Sequence, residues 1–166
     1  MSEHGETRQP AVARAHLPKA YGLVERSAQL TWKHVDERLG GARHYWIGTV
    51  GADSAPAVRP IDGVWLDGTL YFGGDPAALW RRNLRVNTRA SVHLEDAERA
   101  VIVEGEVRTV RPDHELAVRL ADTSNAKYRM GQTASDYEAQ DVLALHPHVV
   151  LAWNVLYKDA TRFTFD

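Results

Sequence analysis

Four arginines, Arg81, Arg82, Arg85 and Arg89, crowd the stretch ALWRRNLRVNTRA. Guanidinium forks match phosphate and carboxylate oxygens in geometry as well as charge, so such a cluster is a candidate anion clamp. On a helix, Arg81, Arg85 and Arg89 would share one face, with Arg82 about a quarter-turn away. Ala77, Trp80 and Leu84 would form the opposing apolar stripe. A solvated helix face has the same spacing. Asp75-Pro76 reads as the N-cap and first-turn pair of this helix, and a capping carboxylate would take donors that an anion needs.

Upstream stands Arg59-Pro60-Ile61-Asp62-Gly63. A proline within a strand removes a ladder donor and marks an edge or a bulge. Peptide groups left free there could meet the polar rim of a flat heterocycle, or the strand could simply end its pairing at Pro60. His146-Pro147-His148 suggests paired metal ligands, but no third ligand stands at suitable spacing, and no metal is expected. Serine elbows, HExxH motifs and phosphate-cradling glycine loops are absent. Hydrolysis has no visible support.

Composition narrows the classes further. The 166 residues contain no cysteine, which excludes disulfides, thiolate metal sites and thiol nucleophiles together. A net charge of −2 supplies no positive field, so nucleic acid is not an expected partner. With 44% hydrophobic and 25% charged residues the chain reads as globular, and no apolar run approaches membrane-spanning length. MSEHGETRQPAVARAHLPK lacks the apolar core of a signal segment. Residues 1–18 are expected to form a disordered leader and 19–166 a single domain, in a cytoplasmic protein.

The elements that must position these groups follow from pattern. Thr31 is placed to cap a helix over LTWKHVDERLGG, with Leu30 and Val35 as a hydrophobic staple and Gly40-Gly41 as its stop. A further helical turn is expected around Tyr21 to Gln29. HYWIGTV reads as a strand, and AVRPIDGVWL and TLYFGG as two more joined at Asp67-Gly68. SVHLE and AVIVEGEVRTV continue the strands. The period turns helical in HELAVRLA, which DTSN is expected to break. Lys127 to Gln140 stays open between helix and ordered loop. HVVLAWNVLY and TRFTF close the chain as strands. Short strands on tight turns favour a closed antiparallel barrel over a sandwich.

In that order, TWKHVDERLGGARHYWIGTV, AVRPIDGVWLDGTLYFGG, RRNLRVNTRASVHLED and AVIVEGEV resemble the flavin-binding split-barrel family. Pyridoxamine phosphate oxidase and the flavin- and deazaflavin-dependent oxidoreductases belong to it. The resemblance covers roughly Leu30 to Asp166. It implies a mainly β fold with inserted helices, a six-stranded antiparallel split β-barrel of the FMN-binding type. It also implies a homodimer with the cofactor in a groove between subunits, and an oxidoreductase using FMN or the deazaflavin coenzyme on a small-molecule substrate. The alternative is a non-catalytic flavin, haem or tetrapyrrole binding module on the same barrel, or a barrel with no cofactor.

The same resemblance suggests site residues. Arg59, Pro60, Ile61, Asp62, Gly63 and Val64 match the strand that runs along the flavin, with Phe72 and Gly73 close by. Trp80, Arg81, Arg82 and Asn83 match the helix beside the phosphate, and Trp153 and Arg162 look like late aromatic and basic contacts. No catalytic side chain is assigned, because hydride chemistry would reside in the cofactor. Where the family carries Ser or Thr, then Arg and Lys, this chain has Ala78, Leu79 and Trp80. The strand half therefore reads as a ring shelf, and the helix half as a reduced clamp left to Arg81 and Arg82.

Overall fold

The computed structural model describes residues 9–21 and 28–166, so most of the helical turn expected from Tyr21 to Gln29 falls outside the described residues. Nine strands carry the architecture: β1 (Ala11–Arg14), β2 (His44–Val50), β3 (Pro56–Asp62), β4 (Val64–Leu66), β5 (Thr69–Phe72), β6 (Arg89–His93), β7 (Val101–Val110), β8 (Val142–Ala152) and β9 (Thr161–Thr164). Helices α1 (Trp32–Gly41), α2 (Leu79–Val86), α3 (His114–Tyr128), α4 (Ala134–Glu138) and α5 (Leu156–Asp159) are inserted between them.

The antiparallel ladder runs β3-β2-β6-β7-β8 and then divides. Leu143–Leu145 of β8 pair with β5, which pairs with β4, while Val149–Ala152 pair with β9, which pairs with β1. His146-Pro147-His148 occupies the point of division. Pro147 has no N–H to give to a ladder. Opposite it, the register of β7 slips between Glu104 and Gly105. A Cβ on Gly105 would stand 2.1 Å from the His146 carbonyl oxygen, so only glycine permits this approach. The pair of histidines that resembled metal ligands thus marks a change of strand partner.

β3 and β4 are consecutive and break at Gly63; taken as one bent strand, they complete the six that surround the core. The ladder does not close, which corrects the closed barrel that the turn spacing favoured. This is a split barrel of the expected class. Its centre is filled by Tyr45 and Ile47 of β2, Val92 of β6, Val101 and Val103 of β7, Leu145 and Val150 of β8, and Phe163 of β9. Val35 and Leu39 of α1 are fully buried with them, and Trp32 sets its ring edge-on to Phe165 at 5.0 Å. Each such side chain stabilises the fold by roughly 1.5–3 kcal/mol through burial.

Local chemistry explains where pattern succeeded and failed. Thr31 caps α1, its hydroxyl oxygen accepting from His34 N–H at 3.2 Å. Asp67 (φ 50°) and Gly68 (φ 76°) form the left-handed pair that a two-residue hairpin requires. Gly40 and Gly41, however, are the last residues of α1, and extended Ala42 ends it by reaching back to the Arg38 and Leu39 carbonyls. α3 runs through DTSN instead of breaking there. β8 begins at Val142, ahead of the expected strand, and the chain after Ala152 turns into α5. The Asp159 carboxylate makes that turn by accepting from Asn154 and Val155 N–H, each at 2.9 Å. At the other end, β1 pairs with β9, so the sheet reaches into the stretch read as leader. Among the described residues no helix is long and apolar enough to cross a membrane.

Gly105→Ala should lower the free energy of unfolding by about 1–3 kcal/mol, because backbone rather than a pliable side chain blocks the methyl group. Urea denaturation measures this directly. A loss below about 0.5 kcal/mol, the ordinary surface value, would contradict the close approach.

Candidate functional site

The arginine cluster does not lie as its spacing suggested. α2 ends at Val86, and Arg89 is the first residue of β6, so Arg81, Arg85 and Arg89 share no helical face. Asp75 is not the cap either. Its Oδ1 accepts from Ala77 N–H at 2.8 Å in a turn ahead of the helix, and Ala78 stands at the N-cap without a side-chain hydrogen bond. The first turn of α2 therefore keeps its amides uncapped by any side chain. Arg85 donates to the Pro76 carbonyl at 2.8 Å and sews helix to turn.

Trp80 anchors α2. It is buried against Phe72, ring centroids 5.7 Å apart, and the Arg81 guanidinium lies 5.9 Å over its ring. Gly74 (φ 137°) must be glycine on two counts, since a Cβ there would come within 2.8 Å of the Trp80 ring.

A cleft of about 720 Å3 opens between the bent β3–β4 strand, the start of α2, and the α3–α4 segment. It gathers Pro60, Ile61, Asp62, Gly63 and Val64 along one wall. Phe72 and Gly73 follow from β5 and its exit, and Trp80 and Arg81 close that end. Other expected residues lie elsewhere. Arg59 is exposed and donates to its neighbour's carbonyl, Val58, at 2.7 Å. Arg82 is exposed on the far side of α2 from buried Trp80. Asn83 is buried and donates to the Thr49 hydroxyl at 3.1 Å, holding α2 to β2. Trp153 and Arg162 meet in a second cleft of about 320 Å3, with Arg14 and His16.

β3 pairs on one side only, so alternate peptide groups of Pro56–Asp62 face away from the ladder. Gly63 is handled differently. The Tyr128 hydroxyl accepts from Gly63 N–H at 2.9 Å and lies 3.0 Å from the Gly63 carbonyl, while also touching the Arg43 carbonyl. Beside it, Lys127 Nζ donates to Ala42 O at 2.8 Å, to the Tyr45 hydroxyl at 3.1 Å and to Gly63 O at 3.4 Å. These partners are all neutral. Burial accordingly lowers the Lys127 pKa and raises those of the Tyr45 and Tyr128 hydroxyls.

The stretch left open in the sequence supplies most of the opposite wall: Tyr128, Met130, Gln132 and Tyr137 line the cleft from the end of α3, the following loop and α4, joined by Ser124 of α3. Ser124 and Asn125, polar residues within a long helix, were the available signal. Such side chains compete with a helix unless something else engages them.

A split barrel with a cleft on its bent edge strand defines the class of protein. The family model for pyridoxamine 5'-phosphate oxidase matches residues 31–154, and the chain belongs to that family. Among solved structures, a conserved hypothetical protein from Mycobacterium tuberculosis is similar at 19% identity and TM-score 0.62, over 78% of this chain and 89% of that one. An F420 reductase is similar at 21% identity and TM-score 0.53, over 69% and 94%. HutZ, the haem storage protein from Vibrio cholerae, is similar at 19% identity and TM-score 0.54, over 72% and 90%. At these identities the likeness is one of fold. No protein of curated function matches the chain's sequence.

Lys127 makes the wall's stability depend on pH. Its folded pKa lies below the ordinary 10.5, so between the two values the unfolded chain holds more protons than the folded one. Stability then rises with pH through that window and levels off above 10.5. The difference in unfolding free energy between the wild type and Lys127→Met should grow in the wild type's favour from neutral pH toward pH 10.5. A difference that stays flat or falls across that range would contradict a desolvated ammonium.

Proposed function

We propose that the chain is a flavin- or deazaflavin-dependent oxidoreductase whose cofactor ring lies along Pro60–Val64 in the larger cleft. The observation that carries this reading is the edge strand itself. Its outward peptide groups, interrupted at Pro60 and Gly63, form one wall of a space large enough for a fused ring system. The residues present fit a flat ring with an anionic tail. Val64, Phe72 and Trp80 offer apolar surface, and Arg81 with the uncapped start of α2 offers charge and donors to the tail. The bound ring would supply hydride transfer; the protein binds it, orients it and shields it from water.

The same reading includes a homodimer, for which one face of the sheet is suited. Trp46, Ile102 and Leu151 stand on the outward face of β2, β7 and β8, half-buried, in register through His93 and with no strand layer over them. Trp46 stacks on His93 at 6.4 Å. Glu104 and Arg162 give this face both signs of charge, as a self-complementary surface needs. Trp153 and Arg162 do not line the larger cleft of their own chain, so any contact they make to a cofactor would come from a second copy.

Two measurements test the proposal. FMN and the deazaflavin coenzyme, titrated separately by absorbance, should bind. Arg81→Ala should weaken the anionic ligand by about tenfold or more, the loss of a charge-assisted hydrogen bond, and Arg82→Ala by much less. Equal effects of the two substitutions would remove Arg81 from the tail. A protein that takes up neither cofactor but develops a Soret band with haem would replace the reading with haem binding. Light scattering should give the wild type as a dimer and Trp46→Glu as a monomer; a monomeric wild type would remove the dimer, and an unchanged mass in the variant would rule out that face.

A further inference from the structure

Gln132 is held more firmly than any packing requirement explains. It sits just past the reversal at Arg129 (φ 58°) and Gly131 (φ 68°) that follows α3. Asn125 grips its backbone from both sides: Oδ1 accepts from Gln132 N–H at 2.9 Å, and Nδ2 donates to Gln132 O at 2.7 Å. The side chain is fixed as well. Gln132 Oε1 accepts from the Ser124 hydroxyl at 3.0 Å and from the Tyr137 hydroxyl at 2.9 Å. A carboxamide oxygen has two lone pairs, and both are used. Ser124 is only 3% exposed, so this network is a built feature of the α3–α4 wall.

The nitrogen of the same amide has no partner among the described residues, while Gln132, Ser124 and Tyr137 all line the larger cleft. We propose that the Gln132 amide N–H is a preset donor to a carbonyl oxygen of the ring bound in that cleft, which makes Gln132 a specificity-determining residue for carbonyl-edged rings. The inference rests on the flavin or deazaflavin reading of the site. An N–H donor fixed in direction accepts a ring carbonyl and disfavours a ring edge that presents its own N–H. The rigidity also accounts for the polar pair Ser124-Asn125 inside α3, where each side chain is occupied by the turn it steadies.

The test uses the full chain and three variants, Gln132→Met, Gln132→Glu and Ser124→Ala, titrated with FMN and with the deazaflavin coenzyme. Gln132→Glu keeps the oxygen that accepts from Ser124 and Tyr137 but turns the donor into a charged acceptor, while Gln132→Met removes the donor without adding charge; thermal unfolding monitors folding in both. Gln132→Met should bind about five- to tenfold more weakly, the worth of one hydrogen bond, and Gln132→Glu more weakly still, because its charge repels the ring carbonyl. The visible absorption band of the bound ring should shift, because its carbonyl loses a donor. Ser124→Ala, with one anchor of the amide gone, should fall between. Unchanged affinity and an unmoved band in both Gln132 variants would overturn the inference while leaving the cofactor reading intact. A wild type that binds neither cofactor would overturn the cofactor reading and this inference with it.

Discussion

The contact on which the site depends is between the end of α3 and the peptide of Gly63. A strand that breaks must still satisfy its backbone groups, and an orphaned peptide group there would cost about 1–3 kcal/mol. Tyr128 meets both the N–H and the carbonyl of Gly63, and Lys127 adds a further donor. Glycine suits the bend at Gly63, since a Cβ would press on Leu70 Cδ1 at 2.9 Å and on the Tyr71 carbonyl at 3.2 Å. One contact therefore fixes the angle between β3 and β4, seats α3 on the open edge, and sets the width of the cleft between them.

The electrostatics of the cleft follow from partners rather than from a count of charges. Three carboxylates line it, Asp62, Asp75 and Asp141, against the single guanidinium of Arg81. Each carboxylate is engaged. Asp62 meets His44 Nδ1 at 2.8 Å, Asp75 takes the Ala77 N–H, and Asp141 pairs with Arg111 at 2.8 Å. Arg81 instead lies over the Trp80 ring, and its guanidinium pairs with no carboxylate among the described residues. The field at the α2 end is thus less hostile to a phosphate than the residue list suggests.

Much of the fold was legible because its signals are local. The hairpin at Asp67-Gly68, the cap at Thr31, and the strand in AVIVEGEVRTV are each set by a few neighbouring residues, and each formed as read. The failures involve partners far away in sequence. Nothing near Asp122-Thr123-Ser124-Asn125 reveals that Gln132 will engage two of them, so a stretch that looks like a break continues as helix. The division of β8 at Pro147 depends on Gly105, and the place of Arg89 depends on Glu106 across the β6–β7 ladder. The edge strand beside the cleft was readable for the same reason. Pro60 marks a free edge by its own backbone chemistry, whereas the bend at Gly63, inside a stretch read as one strand, and the α3–α4 wall arise only when the chain returns.

The departure at Ala78-Leu79-Trp80 has a physical sense in this arrangement. Trp80 is 8% exposed and packs on Phe72, and Gly74 makes room for its ring. A hydroxyl or ammonium at these positions would have to reach solvent or a phosphate; the indole instead joins the core and closes one end of the cleft. Losing side-chain donors there would leave an anionic tail dependent on Arg81 and on the backbone amides of α2, which no side chain caps. Those amides and the β3 edge belong to regular elements, and the Gln132 amide on the opposite wall is held in its loop by Asn125, Ser124 and Tyr137. Under the proposed reading, recognition built this way would rest more on orientation of the ring than on a tight grip of the phosphate.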